Sequence, residues 1–388
     1  MKIKSIKEVK NLKGKRVLVR VDCNVPLDDR GRVVDDYRIK SILPTIRHLI
    51  IKGANVILVS HLGRPDGEVD KKYSNLPVAK RITKLLEKKV IFLDELVSDD
   101  NVKLINALGF RQIVMLENIR FSPGETKNDL KLAKGLAKYA DYYVNDAFAV
   151  SHRPHASVSA ITKYLPSYAG LLLEREVKYL SRVLESKIRP KVAIIGGAKI
   201  ETKVPVIKNM IKKMDYVLIG GAIANTLLKA MDYEVGLSKV DDDQLAMAKR
   251  IIHPKLFVPI DAVVAKDFTN QAKAQIKAVG QIGHKDVILD LGPDTVRLYA
   301  DIIKDAKLVV WNGPLGYFEV SRYKKASQAV ARAIINCKDD SIIGGGETVQ
   351  LAKELGLKKK FDFVSTGGGA MLEFLEGRML PGIKPLLK

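Results

Sequence analysis

Short runs of Val, Ile and Leu alternate along the chain with longer segments whose apolar positions recur at helical spacing. In the first half the runs are Arg16–Val21, Asn55–Val59, Val90–Leu93, Gln112–Leu116 and Asp141–Val144. In the second half they are Lys191–Ile195, Tyr216–Ile219, Leu256–Pro259, Val287–Leu289, Leu308–Trp311, Ser341–Ile343 and Phe361–Val364. Runs that are apolar throughout, rather than at every other position, belong to parallel strands covered on both faces. The pattern predicts an α/β fold of doubly wound parallel sheets, and twelve such strands exceed one ordinary open sheet. Leu173, Val177, Leu180 and Leu184 recur at helical spacing between Pro166 and Pro190, predicting one long helix over 170–186. It joins two lobes, 1–169 and a second beginning at 187, unless it is an ordinary crossover within one lobe.

Composition narrows the class. With 388 residues, 47% of them hydrophobic and 28% charged, the chain is globular and long enough for two or three cores. No run approaches the ~18 apolar residues of a membrane span. The N-terminal Met-Lys-Ile-Lys-Ser-Ile-Lys-Glu carries no apolar core for a signal peptide. Cys23 and Cys337 cannot build a disulfide framework, so a reducing cytoplasm is expected and both thiols read as packing. The net charge of +22 invites a nucleic-acid reading. Aromatic residues are only 6%, however, and no basic segment is interleaved with stacking side chains. The charge is expected to steer anions toward the protein, without specific nucleic-acid binding.

In open parallel sheets the ligand lies beyond the carboxyl ends of the strands. The first-half strands end in Asp22–Asn24, His61–Arg64, Glu117–Arg120 and Asn145–Arg153. Arg20, Arg38, Arg64, Arg120 and Arg153 therefore gather with His61, His152 and His155, and planar guanidinium forks suit a small ligand with several negative groups. Asp22 and Asn24 suit its hydroxyls. The histidines lack acidic companions, so anion binding ranks above a metal site or a general base.

The second-half strands end in glycines instead: Gly196-Gly197, Gly220-Gly221, Gly313, Gly344–Gly346 and Gly367–Gly369. Glycine between a strand and a helix lets phosphate approach amides at the positive helix end. Lys199 and Lys203, four apart, predict two ammonium groups on one side of a helix start. Glu319 and Glu347 are candidates for ribose hydroxyls and a magnesium-bound phosphate. Neither the Walker loop nor the dinucleotide glycine fingerprint is present, and the protein-kinase catalytic loop is also missing.

Taken in order, Arg20-Val-Asp-Cys-Asn-Val-Pro26, Ser60-His-Leu-Gly-Arg-Pro65, Leu116-Glu-Asn-Ile-Arg-Phe121, Asn145-Asp-Ala-Phe148, His152-Arg-Pro-His155, Gly196-Gly-Ala-Lys199, Gly220-Gly-Ala222, Trp311-Asn-Gly-Pro314, Gly344-Gly-Gly-Glu-Thr348 and Ser365-Thr-Gly-Gly-Gly369 resemble the phosphoglycerate kinase family over nearly the whole chain. The resemblance implies two Rossmann-like lobes joined by a helical hinge. It also implies a nucleotide lobe over 187–370 and a segment, 371–388, returning to the first lobe. By that resemblance Arg20, Asp22, Asn24, Arg38, His61, Arg64, Arg120 and Arg153 hold 3-phosphoglycerate. Gly197, Lys199, Lys203, Gly220, Gly221, Asn312, Glu319 and Gly345, Gly346, Glu347 and Thr348 hold the nucleotide. Arg38, Lys199 and the amides of Gly367, Gly368 and Gly369 serve the phosphoryl group in transfer. Mg²⁺ enters with ATP or ADP and meets Glu347. Three residues depart from the family pattern: Cys23 for Phe, Ala222 for Gly, and Glu347 for Asp. The chain also reads as compact for the family, with trimmed loops.

The implied reaction is reversible phosphoryl transfer between ATP and 3-phosphoglycerate, giving ADP and 1,3-bisphosphoglycerate, by a cytoplasmic monomer whose lobes close. The alternatives are a kinase for a related phosphorylated acid and a non-catalytic polyanion binder.

Overall fold

The computed structural model describes residues 1–269, 273–337 and 339–388, and among these the strands form three sheets. The first sheet contains β1 (Arg16–Val21), β2 (Asn55–Val59), β3 (Val90–Leu93), β4 (Ile113–Leu116), β5 (Tyr142–Asp146) and β6 (Ser167–Ala169). They lie in the order β3-β4-β2-β1-β5-β6, all parallel. Strand alternation sends Val17, Val19, Val56, Leu58 and Met115 into one core, and Leu18, Ile57, Val59, Val114 and Leu116 into another on the opposite face. Burial on both faces is why these strands read as unbroken apolar runs.

The second large sheet combines β7 (Lys191–Ile195), β8 (Tyr216–Ile219) and β9 (Leu256–Phe257) with β13 (Leu308–Asn312), β14 (Asp340–Gly344) and β15 (Phe363–Val364). Its order is β15-β14-β13-β7-β8-β9, again parallel. Between β9 and β13 the chain builds a third sheet from β10 (Asp261–Ala265), β11 (Gln275–Ala278) and β12 (Val287–Leu291), in the order β11-β10-β12. Here the structure corrects the strand-by-strand reading, because the run at Val287–Leu289 lies in an antiparallel sheet. An apolar run reports burial but not the direction of its neighbour. β6, β10 and β11 had no counterpart in the sequence reading. Ser-Tyr-Ala is too short, and the mostly exposed β11 carries no apolar run.

The chain divides into two compact units, 1–178 with 379–388, and 179–378. The first boundary falls inside the helix Leu171–Glu185, which buries Leu173, Val177, Leu180 and Val183. Val183 replaces the expected Leu184, which is only half-buried. The segment grouped with the first unit begins at Met379, later than the expected 371. The reason is local: the helix Gly369–Leu375 stays with its own unit, where Asn209 Nδ2 donates to Leu375 O at 2.6 Å. Among the described residues no helix is long and apolar enough to cross a membrane.

The antiparallel sheet is tied at one buried carboxylate. Asp286, 2% exposed, accepts from Lys266 Nζ at 2.8 Å, Lys277 Nζ at 2.6 Å and Gly283 N at 2.8 Å. Hydrogen bonds from Lys266 and Lys277 hold its carboxyl well below the usual carboxylate range. Such a group contributes stability above its unfolded pKa and loses it as pH falls toward the lower folded value. Asp286→Asn should therefore lower the unfolding free energy at pH 7 by about 1–2 kcal/mol, Lys266 being solvent-screened. Urea titrations should show the difference shrinking as pH drops below the ordinary carboxylate range.

Candidate active site

Beyond the carboxyl end of β1, Asp22 is 6% exposed and pairs through Oδ2 with the Arg38 guanidinium. Arg38 stands in the first turn of the helix Tyr37–Ile51. Asp22 Oδ1 accepts from Asn24 N at 3.1 Å, and the exposed Asn24 accepts from Gly63 N at 2.9 Å, which ties the turn after β1 to the turn after β2. His61 follows β2 and is 3% exposed. Burial, then the charges of Arg20, Arg120 and Arg38, push its imidazole well below the usual histidine value. It is neutral at pH 7.

Arg64 and Arg120 line one cavity with Asp66, Gly67, Ser122 and Thr126. Arg120 Nη1 donates to Gly63 O at 2.7 Å. Its loop is set by the fully buried Asn118, whose Oδ1 accepts from Leu62 N at 3.2 Å and Arg120 N at 3.1 Å. Burial, then the nearby charges of Arg20 and Arg153, bring the Arg120 pKa down to about 10. The group stays protonated at pH 7, under like-charge repulsion that an anion would relieve. Arg153 Nε donates to His152 Nε2 at 3.1 Å.

Arg20 differs from the other arginines in its surroundings. It is 1% exposed, and its guanidinium is engaged within the protein. Nε donates to Ser157 Oγ at 2.8 Å, Nη1 to Val21 O, and Nη2 lies 3.3 Å from His61 Nδ1 and 3.9 Å from Glu125 Oε1. Strand parity explains this: Arg20 shares a face with Leu18, so its side chain enters the packed layer. Arg20 is thus held within the packed layer by partners of its own chain.

Its counter-charge, Glu125, was missed from sequence. Fully buried, Glu125 accepts from Ser157 N at 2.9 Å and Ser157 Oγ at 2.7 Å, and lies 3.6 Å from His155 Nδ1. Burial works against its charge, but His155, Arg20 and Ser157 outweigh it and hold the carboxyl below its usual value. An acid 27 residues before His152-Arg153 carries no local signal; only the fold brings it under Arg20.

In the second unit, β7 and β13 are neighbours at the point where the strand order reverses. A cavity there is walled by Leu228, Leu289 and Leu291, floored by Gly197 and Gly221, and edged by Glu319 and Glu347. The turns beneath it approach too closely for side chains. A Cβ at Gly196 would lie 2.0 Å from Pro314 O, and Gly313 (φ +96°) is pressed against Gly196. Gly346, which opens the helix Gly346–Glu354, faces open space. Lys203 Nζ donates to Asn312 Oδ1, and Gly345 lies beside that same amide. Burial lowers the Lys203 pKa to about 8, with Glu347 opposing the fall. Lys199 is exposed in the turn after β7.

Several expectations change here. The helix after β7 begins at Val204, so Lys199 and Lys203 occupy a turn and its cap rather than one helical face. Gly197 N donates to Pro314 O at 3.0 Å, Gly220 N to Ile195 O at 3.1 Å and Gly221 N to Leu315 O at 2.8 Å. Those amides knit neighbouring turns together; what Gly197 and Gly221 offer the cavity is a bare surface. Thr348 is fully buried, and its hydroxyl accepts from Gly313 N at 2.8 Å. The Gly367 amide donates to Ser365 Oγ at 3.0 Å. Gly368 and Gly369 cap and open the helix Gly369–Leu375. The sequence reading missed Asn225, Asp290 and Tyr317 in the cavity wall, because each sits on a different element with no motif in common.

Comparison with known proteins gives concordant matches over nearly the whole chain. A family model described as phosphoglycerate kinase matches residues 6–378. The chain is 44% identical to the phosphoglycerate kinase of Coprothermobacter proteolyticus, covering 100% of this chain and 99% of that one. It is 45% identical to that of Pelobacter propionicus, covering 100% and 98%. Its length is thus that of these relatives, without the trimming expected. Among solved structures, phosphoglycerate kinase from Coxiella burnetii superposes with a TM-score of 0.91 at 38% identity, covering 99% of each chain. The enzyme from Pyrococcus horikoshii gives 0.86 at 31%, covering 99% and 98%. The chain belongs to the phosphoglycerate kinase family.

Proposed function

We propose that this chain catalyses reversible phosphoryl transfer between ATP and the carboxylate of 3-phosphoglycerate, giving ADP and the acyl phosphate 1,3-bisphosphoglycerate. The observation that carries the reading is a division of labour. Guanidinium groups line the carboxyl edge of the first sheet, while a glycine-floored apolar cavity and the Lys203 ammonium group lie at the edge of the second. The acid takes Arg64 and Arg120 at its phosphate, and Asp22 and Asn24 at its hydroxyl. Arg38 reaches the carboxylate. Where Arg20 donates to Nδ1 of His61, the neutral ring carries its proton on Nε2 and donates from there.

An acceptor carboxylate is already ionised at pH 7, so its oxygen attacks the γ-phosphorus with no proton to remove. The bond from that phosphorus to the β,γ-bridging oxygen breaks, and ADP leaves with the electron pair. What remains for the protein is positioning and the cancelling of charge on the phosphoryl oxygens. Lys199, Lys203 and the amides of Gly368 and Gly369 serve from the nucleotide side, and Arg38 from the acid side. Since the two sets belong to different units, transfer requires them to meet, and water must be excluded from the acyl phosphate.

Among the described residues no three His, Cys, Asp or Glu side chains gather as a metal cage. Glu347 and Glu319 edge the nucleotide cavity instead, which fits a magnesium ion borne mainly by phosphate oxygens and met by Glu347. When bound, the ion offsets phosphate charge. Both halves of the site lie in one chain, which suits a monomer, and two unpaired cysteines suit the cytoplasm.

Incubation with MgATP, 3-phosphoglycerate and hydroxylamine should trap the acyl phosphate as a hydroxamate; its absence, with the acid bound, overturns the reading. Arg38→Ala or Lys199→Ala should lower kcat by ~10²–10³, the scale of a lost transition-state donor. Arg64→Ala should chiefly raise KM for the acid, a contact present before and during transfer. A second prediction concerns pH. Above about 8, the depressed Lys203 loses its proton in the free enzyme, so kcat/KM for nucleotide should fall there. Lys203→Arg, weaker overall, should lack that limb.

A further inference from the structure

The chain passes between its two units twice, within the helix Leu171–Glu185 and again between Arg378 and Met379. Both passages are fastened to the same dipeptide. Asp146, fully buried at the end of β5, accepts from Leu172 N at 2.9 Å and Leu173 N at 3.2 Å, two of the amides a helix start leaves without partners. The third, Leu171 N, donates to Thr45 Oγ1 at 2.9 Å, and the Thr45 hydroxyl also bonds the Asp146 carboxylate. Its neighbour Asn145, equally buried, donates from Nδ2 to Gly382 O at 2.9 Å, just beyond the second passage.

Glycine sits at both fastenings for steric reasons. A Cβ at Gly170 would lie 2.2 Å from Asp146 Oδ1, and one at Gly382 would lie 2.7 Å from Val158 and 3.0 Å from Asn145 Nδ2. The dipeptide also has a defined neighbour: in the β1–β5 register Asn145 stands opposite Arg20, and Asp146 opposite Val21, one residue before Asp22. Thr45 belongs to the helix whose first turn carries Arg38. One pair of side chains thus joins the acid-binding edge to both covalent links with the nucleotide unit.

We propose that Asn145 and Asp146, with Thr45, are positioning residues that transmit occupancy of the acid-binding edge to the two passages linking the units. The proposal rests on the functional reading above, in that the acid binds the first unit and the nucleotide the second. Neither residue touches a substrate on that reading. A helix start capped by its own flanking residue would be indifferent to the acid. Capped by β5 and by the Arg38 helix, it moves with them.

Amide hydrogen exchange tests this. In the full-length protein, 3-phosphoglycerate should slow exchange at Leu171–Leu173 and at Gly382–Ile383. Thr45→Val and Asn145→Ala should abolish that slowing while the acid and MgADP, each titrated alone by calorimetry, keep their Kd within about twofold. Their kcat should fall about tenfold, a middling coupling between sites, and Thr45→Ser should restore it. Wild-type protein that binds the acid without altered exchange would overturn the proposal, as would folded variants with full kcat. So would a kcat loss matched by weaker binding of the acid alone. Wild-type protein that binds no 3-phosphoglycerate would instead overturn the functional reading. Thr45→Val only trades a hydroxyl for a methyl, so it keeps the test available should Asn145→Ala fail to fold.

Discussion

A parallel sheet covered on both faces leaves polar chemistry one outlet, the turns beyond its carboxyl edge. Both large sheets obey that constraint, and each was given a different content at its edge. In the first, side chains do the work: Asp22, His61, Arg64 and Arg120 all follow strands directly. In the second, backbone does much of it, because turns that pack as closely as Gly196 on Gly313 leave no room for side chains. Under the proposed function the two edges take different ligands, one a compact multiply charged acid and the other a flat, largely apolar group that ends in phosphates.

Crowding guanidinium groups is electrostatically unfavourable, and burying one without a partner costs several kcal/mol. Glu125 answers both demands in the first unit. It lies under Arg20 and His155, is hydrogen-bonded by Ser157, and leaves net positive charge where a ligand can reach. Arg20 in turn donates to His61 and to the Val21 carbonyl, so a buried charge pair fixes the orientation of the buried imidazole beside it. Under the proposed function the arrangement is preorganised for anions before any arrives, which limits the reorganisation that charge stabilisation would otherwise require.

The three residues expected to depart from the family pattern occupy different surroundings. Cys23 is fully buried, and burial, with Asp22 nearby, pushes its thiol up to about 12, so it packs without reacting. Ala222 lines the cavity of the second unit beside Gly221, where a single methyl narrows the space available. Glu347 lies in the first turn of its helix and acts electrostatically on Lys203, which ties its longer side chain to that lysine's charge.

Sequence alone determined the elements and the kind of chemistry. Continuous apolar runs marked every strand of the parallel sheets except β6, helical spacing marked Leu171–Glu185, and the residues just after the strands announced cations on one side and glycines on the other. These features are local, set by neighbours a few residues apart. Tertiary structure decided which groups are available. Arg20 turned inward through strand parity, Thr348 was claimed by Gly313, and the amides of Gly197, Gly220 and Gly221 were taken by adjoining turns. Glu125 and Asp146 became meaningful only when Arg20 and the Leu171 helix were brought to them. A hydrogen bond has two partners, often more than a hundred residues apart, and no pattern within a short window reveals the second.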